Sequence, residues 1–333
     1  MEEKICAGIT AVGHYVPEDV LTNADLEEMV ETNDEWIQSR TGIQERRILK
    51  DKNKASAFMG AEAAREALNK RGVSAEDVDL IIATTVTPDY MFPATATLIQ
   101  KYIGAVHAYG FDFNAACSGF LFALTTAANF IEAGNAKKIL VVGTDKMSTI
   151  TDYTDRTTCI LFGDAAAAVL VEPVEDGTGV IDYVHHADGD IEGSLIMEGG
   201  GSRMPATHES VDQHKHYIKQ DGRVVFKKAT FGMADVSLDI MRRNELKPDD
   251  VSWLVPHQAN QRIIDATAKR MGVKNEKVMS NIAKYGNTTT ATIPLCLYEW
   301  QDQLSYGDNL ILAAFGGGFT WGAAYVKWSI KQA

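Results

Sequence analysis

The same order of parts is written twice along this chain, and that doubling constrains its fold more than any single motif. Residues 74–82 read SAEDVDLII and residues 247–255 read KPDDVSWLV, each an acidic turn running into an apolar, strand-like stretch. Downstream of the first, a helix-like segment ends at Ile103-Gly104 and is followed by FNAACSG over residues 113–119. Downstream of the second, a helix-like segment ends at Met271-Gly272 and is followed by residues 280–290, which contain Tyr285-Gly286-Asn287-Thr288. Each copy closes with a glycine turn and a small-residue strand, FGDAAAAVLV from Phe162 and FGGGFTWGAAYV from Phe315. The repetition points to a duplicated α/β unit, with an N-terminal half over 1–173 and a C-terminal half over 174–333. Chance likeness between two α/β units is the competing reading.

The local pattern is consistent with that class. Residues 80–85 (LIIATT), 139–142 (ILVV), 166–171 (AAAVLV) and 310–314 (LILAA) read as buried strands. Residues 55–70, 117–133 and 258–271 read as helices between them, and near-continuous apolar strands alternating with helices predict an α/β fold with covered sheets. A formal charge of −13 argues against nucleic acid or an anionic membrane face as the main partner, since both select clustered positive charge. Cys6, Cys117, Cys159 and Cys296 are scattered without CxxC spacing, which suits free thiols in a reducing compartment. Apolar stretches are strand-sized and the first residues lack a signal-peptide pattern, so a cytoplasmic protein is expected.

Three residues stand where an α/β fold places reactive groups. Cys117 follows a strand-like stretch and precedes a helix-like run, where unpaired helix N–H groups favour a thiolate and can hold an oxyanion. Gly119 is expected to leave space beside the thiol. His257 follows the apolar run ending in Val255-Pro256, at the carboxyl end of a strand, with Gln258, Ala259 and Asn260 opening the next helix. Asn287 sits in the corresponding turn one unit further on. Taken singly, each has an ordinary alternative: a buried inert thiol, a satisfied polar histidine, a plain turn. Together they supply a nucleophile that is also a good leaving group and two N–H donors able to stabilise an enolate. The glycines of Phe315-Gly316-Gly317-Gly318-Phe319 let backbone amides approach a ligand, though without the spacing of a nucleotide-phosphate loop.

Six stretches carry a resemblance: DEWIQSRTGIQERR (34–47), FDFNAACSGF (111–120), FGDAAAAVL (162–170), WLVPHQANQRII (253–264), YGNTTTATIP (285–294) and AAFGGGFTWG (313–322). Together they resemble β-ketoacyl-acyl carrier protein synthase III along nearly the whole chain. The resemblance implies a thiolase-like, five-layered αβαβα fold made of two duplicated halves, and a homodimer. It implies initiation of type II fatty acid synthesis by decarboxylative condensation of acetyl-CoA, or a short branched starter, with malonyl-acyl carrier protein. CoA thioesters enter as substrates, and no cofactor or metal is implied.

By the same resemblance, Cys117 is the acylated nucleophile, and His257 and Asn287 stabilise the enolate. The amides of Cys117 and Gly317 form an oxyanion hole, and Phe315 crowds the malonyl carboxylate. Trp36, Arg40 and Arg156 are implied as CoA contacts, with Asn260 near the pantetheine. An indole and a guanidinium suit an adenine between them. Arg262, Lys269 and Arg270 on the helix after His257, with Lys227 and Gln258, are the implied dock for an acidic carrier protein. Phe92 is implied to reach the acyl pocket across the dimer.

Two stretches depart from the family pattern. The run after Asn287 is Thr-Thr-Thr-Ala-Thr, where many relatives carry Ser-Ala-Ala-Ser, which adds bulk near the site. Residues 199–217, with His208, His214 and His216, match no pattern and read as a polar loop rather than a metal site. A cysteine hydrolase, another thiolase-superfamily acyltransferase and a non-catalytic carrier-binding scaffold are the competing functions.

Overall fold

A computed structural model of the chain describes residues 5–174 and 177–331. The strands in the first half are β1 (Cys6–Tyr15), β2 (Val20–Thr22), β3 (Glu45–Arg47), β4 (Leu80–Thr84), β5 (Tyr109–Phe113), β6 (Ile139–Asp145) and β7 (Ala165–Val174). Those that follow are β8 (Gly179–Ala187), β9 (Leu195–Met197), β10 (Ile218–Gln220), β11 (Trp253–Pro256), β12 (Asn309–Gly316) and β13 (Thr320–Lys327). The helices are α1 (Asn23–Glu27), α2 (Asp34–Thr41), α3 (Ser56–Arg71), α4 (Thr95–Ile103) and α5 (Gly119–Glu132), then α6 (His208–Asp212), α7 (Gly222–Arg243), α8 (Gln261–Met271), α9 (Ile282–Tyr285) and α10 (Thr292–Trp300).

The doubled sequence is a doubled topology. One sheet runs β1-β7-β6-β4-β5 and the other, read in the matching direction, β8-β13-β12-β11. In the first, β4 and β6 are parallel while β7 is antiparallel to β6 and β1. In the second, β11 and β12 are parallel while β13 is antiparallel to β12 and β8. The fifth place, held by β5 in the first sheet, shrinks in the second to a single parallel bridge between Leu254 and Val278. The acidic turns of the two echoed stretches, Ala75–Asp77 and Pro248–Asp250, are short 3-10 turns feeding β4 and β11.

Helix composition explains the layering. α5 is apolar around most of its circumference, with Phe120, Leu121, Leu124, Ala127, Ala128 and Ile131 buried, as a helix covered on both sides must be. It packs against strands of both sheets, and α10 likewise touches β1, β7 and β11. These two helices form the middle layer, and their side chains merge with both sheets into one core. Alanine-rich α3 lies with α4 on the outer face of the first sheet. α7 and α8 cover the outer face of the second. Five layers alternate as helix, sheet, helix, sheet, helix. Among the described residues no helix is long and apolar enough to cross a membrane.

Two expected helices begin later than the sequence pattern indicates. Residues 116–118 form a separate 3-10 turn ahead of α5, because Ala116 adopts φ +45°. Residues 258–260 are not helical; Asn260 is extended and caps α8, its side-chain oxygen accepting from the Arg262 N–H at 3.0 Å.

Candidate active site

The elbow at Cys117 is built by both halves. β5 delivers the chain to Ala115, the left-handed Ala116 turns it sharply, and Cys117 lies in the turn before α5. Such a backbone outlier persists only where its surroundings hold it. Here the Ser118 hydroxyl donates to the Thr320 carbonyl (2.9 Å) and the Thr320 hydroxyl to the Ala115 carbonyl (2.8 Å). Gly316, at the end of β12, lies so close that a Cβ there would stand 2.7 Å from the Cys117 nitrogen. Gly119 serves a different purpose from the one expected: a Cβ on it would run into Thr84 of β4, so its smallness admits a strand and not a substrate.

Part of the Cys117 surface meets a cavity, yet the surroundings are dense enough for desolvation to dominate its ionisation. Burial pushes the thiol up to about 12, with the nearby Asp145 charge adding to the rise, while the Cys117 and Gly317 amides pull the other way. The expected thiolate is therefore corrected to a neutral thiol at rest, because two amides do not outweigh burial plus a carboxylate. The same two amides lie beside the sulfur.

His257 follows β11 and extends its pairing, its N–H donating to the Ala313 carbonyl at 2.8 Å. The ring is 2% exposed, and burial pulls its pKa down to about 3, so it is neutral. Nδ1 lies 2.7 Å from the Thr292 hydroxyl, while His257 also lines the cavity. Asn287 is held between the halves: its N–H donates to the Leu161 carbonyl (2.8 Å) and its carbonyl accepts from Gly163 N–H (3.1 Å). Its side-chain oxygen accepts from the Thr289 N–H at 2.9 Å, which fixes the carboxamide and leaves the NH2 group for the cavity it lines. Thr289 takes φ +54° to make that bond.

Cys117, His257, Asn287, Phe315 and Gly317 all open on one cavity of about 770 Å³. Phe315 packs its ring against Phe319 (5.1 Å between centroids) and Trp321 (6.1 Å), which stiffens that wall. Residues 111–189 match the model of 3-oxoacyl-[acyl-carrier-protein] synthase III, and residues 241–328 match the model of its C-terminal region. The β-ketoacyl-[acyl-carrier-protein] synthase III of Chlorobium luteolum is 59% identical over 326 residues, covering 97% of this chain and 99% of that one. That of Porphyromonas gingivalis is 54% identical, covering 98% and 97%. The crystal structure of 3-oxoacyl-[acyl-carrier-protein] synthase III from Aquifex aeolicus superposes with a TM-score of 0.89 at 42% identity, covering 97% of this chain and all of that one. The chain belongs to the β-ketoacyl-[acyl-carrier-protein] synthase III family. Its fold is accordingly the thiolase-like one of the synthase III structures.

At the cavity mouth of this synthase III, Trp36 and Arg40 of α2 and Asn260 line the wall, and the Asn260 side chain donates to the Arg40 carbonyl at 2.9 Å. Arg156 does not line the cavity but lies over Trp36, 5.4 Å from its centroid. A base stacked between the two needs about 7 Å, two contacts of ~3.5 Å, so this guanidinium must swing out to admit one. Arg262 lies 4.7 Å over the Phe226 ring, and Lys227 and Lys269 are exposed nearby. Arg270 is paired with Asp235 at 2.5 Å. Gln258 is a correction: it is fully buried, donating to the Pro256 and Met279 carbonyls and accepting from Asn281 N–H, and offers no surface for docking.

Residues 199–217 join β9 to β10, and Leu195, Ile196, Met197 and Ile218 of that hairpin roof the cavity. His214 in this stretch pairs with Asp152 at 2.6 Å. Sequence reasoning missed Asp145, a buried acid receiving the Thr85, Thr87 and Thr290 hydroxyls and the Val86, Thr87 and Thr290 N–H groups. Its signal was a lone acid closing the apolar run ILVVGTD.

Proposed function

We propose that Cys117 carries the acyl group, and that His257 and Asn287 hold the enolate, in the reaction of this synthase. That reaction is the initiating condensation of fatty acid synthesis, acetyl-CoA with malonyl-acyl carrier protein, and the protein is an acyltransferase. In the first step the acetyl–S bond to CoA breaks as the bond to Cys117 Sγ forms. The thiol proton ends on the released CoA, so a neutral resting thiol balances the exchange. The Cys117 and Gly317 amides hold the oxyanion of this step. In the second step malonyl thioester loses CO2, and the enolate oxygen takes N–H donors from His257 and Asn287. The carbanion attacks the acetyl carbon, Cys117 leaves as thiolate and recovers a proton from solvent. Phe315 crowds the departing carboxylate against an apolar wall.

The observation that carries this reading is convergence: a thiol from one half and two fixed side chains from the other open on the same cavity. Trp36, Arg40, Arg156 and Asn260 are the proposed CoA contacts, with Arg156 moving aside for the base. Arg262, Lys227, Lys269 and Arg270 are the proposed carrier dock. The two halves are proposed to divide at residue 174, after which the chain leaves the first sheet. A homodimer is proposed through the first sheet's open edge at β5 and the loop carrying Tyr90, Met91 and Phe92, the last 86% exposed. Covering such a patch is what a second copy would do. A cytoplasmic location is proposed, in keeping with cysteines scattered through the sequence without CxxC spacing. The test supplies acetyl-CoA with and without malonyl-acyl carrier protein. CoA and CO2 released one-to-one only with both substrates supports the reading; continuous CoA release from acetyl-CoA alone identifies a hydrolase instead.

A further inference from the structure

We propose that Asp145 is a positioning residue for the enolate step, anchoring through Thr290 the turn that presents the Asn287 carboxamide to the cavity. The turn is held at two ends. At its start the Asn287 backbone is bonded to Leu161 and Gly163 of the first half. At its end Thr290 donates its N–H to Asp145 Oδ2 at 3.1 Å, and its hydroxyl lies 2.6 Å from the same oxygen. Between them stands Thr289 at φ +54°, a conformation that a β-branched residue keeps only where its surroundings hold it. The Thr289 N–H bonds Asn287 Oδ1 at 2.9 Å, and the next N–H along the chain, that of Thr290, bonds Asp145. Without the second bond Thr289 relaxes, the first opens, and the carboxamide is free to turn its NH2 away from the enolate.

The anchor is itself fixed. Asp145 ends β6, is fully buried, and its other oxygen accepts the Val86 N–H at 2.7 Å and the Thr87 N–H at 3.2 Å. The tie to Thr290 does not depend on the charge of the acid. Ionised, Asp145 takes the hydroxyl hydrogen; protonated, it gives its own to Oγ1 while the hydroxyl turns to the Thr84 carbonyl at 3.0 Å. Either way one hydrogen joins the two residues. Gly143 keeps β6 clear for this approach, since a Cβ there would stand 2.5 Å from the Thr290 carbonyl oxygen. Among the described residues, Asn287 and Thr289 of this turn line the cavity, while Asp145 and Thr290 stand behind them. Both therefore act through Asn287, and the inference rests on the enolate role proposed above for that residue.

Thr290 is the residue to vary, because the Asp145 charge also bears on the Cys117 thiol. Thr290→Val puts a methyl where the hydroxyl meets the carboxylate, and Thr290→Ser keeps the hydroxyl. Expected for Thr290→Val is a loss of about 10²-fold in malonyl-acyl carrier protein decarboxylation, the cost of a displaced donor. Thr290→Ala, which loses the hydroxyl without added bulk, should lose about tenfold, the worth of one hydrogen bond. Acetylation of Cys117 by acetyl-CoA should stay within about threefold, since that elbow hangs on Thr320, and Thr290→Ser should restore decarboxylation. In an Asn287→Ala background, Thr290→Val should cost less than about twofold more, because a residue acting through Asn287 has nothing left to position. Urea melts establish that each variant is folded. Decarboxylation at the native rate in folded Thr290→Val and Thr290→Ala, equal losses in both half-reactions, or the full extra loss on top of Asn287→Ala would each overturn the inference. Decarboxylation left intact by Asn287→Ala would place the failure in the enolate assignment instead.

Discussion

Gly316→Ala isolates the cross-half contact on which the proposed oxyanion site depends. The added Cβ would stand 2.7 Å from the Cys117 nitrogen, 3.0 Å from Ser118 nitrogen and 3.2 Å from Cys117 Cα. Against a comfortable separation of ~3.5 Å, the first overlap is about 0.8 Å, and every atom involved is backbone. No flexible tip can yield. The glycine has no left-handed φ, so the perturbation is steric alone. Either the Cys117 elbow or the β12–β13 turn must retreat, and the Cys117 and Gly317 amides then no longer converge. Overpacking of this kind costs about 1–3 kcal/mol of stability, and a displaced oxyanion donor about 10²–10³-fold in rate. Single-turnover CoA release from acetyl-CoA measures the second, and denaturant melts the first. Gly189→Ala, whose Cβ meets nothing within 4 Å, is the control. A folded Gly316→Ala protein that acylates within twofold of the native rate would refute the reasoning.

Acid stability reports the buried imidazole. The folded pKa of His257 is about 3 against an ordinary value of 6.5, so the unfolded chain takes the proton first. Its share of stability is complete above pH 6.5 and falls with pH, by about 2 kcal/mol at pH 5 and about 5 kcal/mol below pH 3. Urea melts of His257→Gln should show a pH 7-to-5 decline smaller by that 2 kcal/mol; equal declines would contradict burial of a neutral ring. For Cys117, held near 12, iodoacetamide modification should climb about tenfold per pH unit through pH 10. A plateau between pH 6 and 8 would show a thiolate already present. Trp36→Ala should raise KM for acetyl-CoA by about 2–30-fold, the worth of a lost stacking face, with the malonyl half-reaction unchanged. An unaltered KM would remove Trp36 from the CoA site.

The layered fold was legible because its repeat is carried by strong local signals: acidic turns, β-branched runs and glycine turns that recur in order. Cys117 and His257 could be picked out because each follows a strand, β5 and β11, and Asn287 because it follows the glycine turn after α9; the structure brings all three to one cavity. Gln258 was misplaced because a polar side chain beside a histidine gives no hint, in one dimension, that three backbone groups will claim it. Gly119 was misread because its tight neighbour, Thr84, is distant in sequence. The thiolate expected at Cys117 came from counting helix amides. The density of packing, which decides the sign, and the approach of Asp145 on β6, which adds to it, exist only in the folded chain.

Mass spectrometry of the Cys117 peptide, after acetyl-CoA and then a malonyl-acyl carrier protein chase, tests the shared site most directly. One acetyl group should appear on Cys117, persist in water, and disappear in the chase as 3-ketoacyl carrier protein forms in equal amount. His257→Ala and Asn287→Ala should acquire the label and keep it through the chase. A label on any other residue, or its loss without malonyl substrate, would contradict a cavity in which one thiol and two donors work on the same carbon–carbon bond.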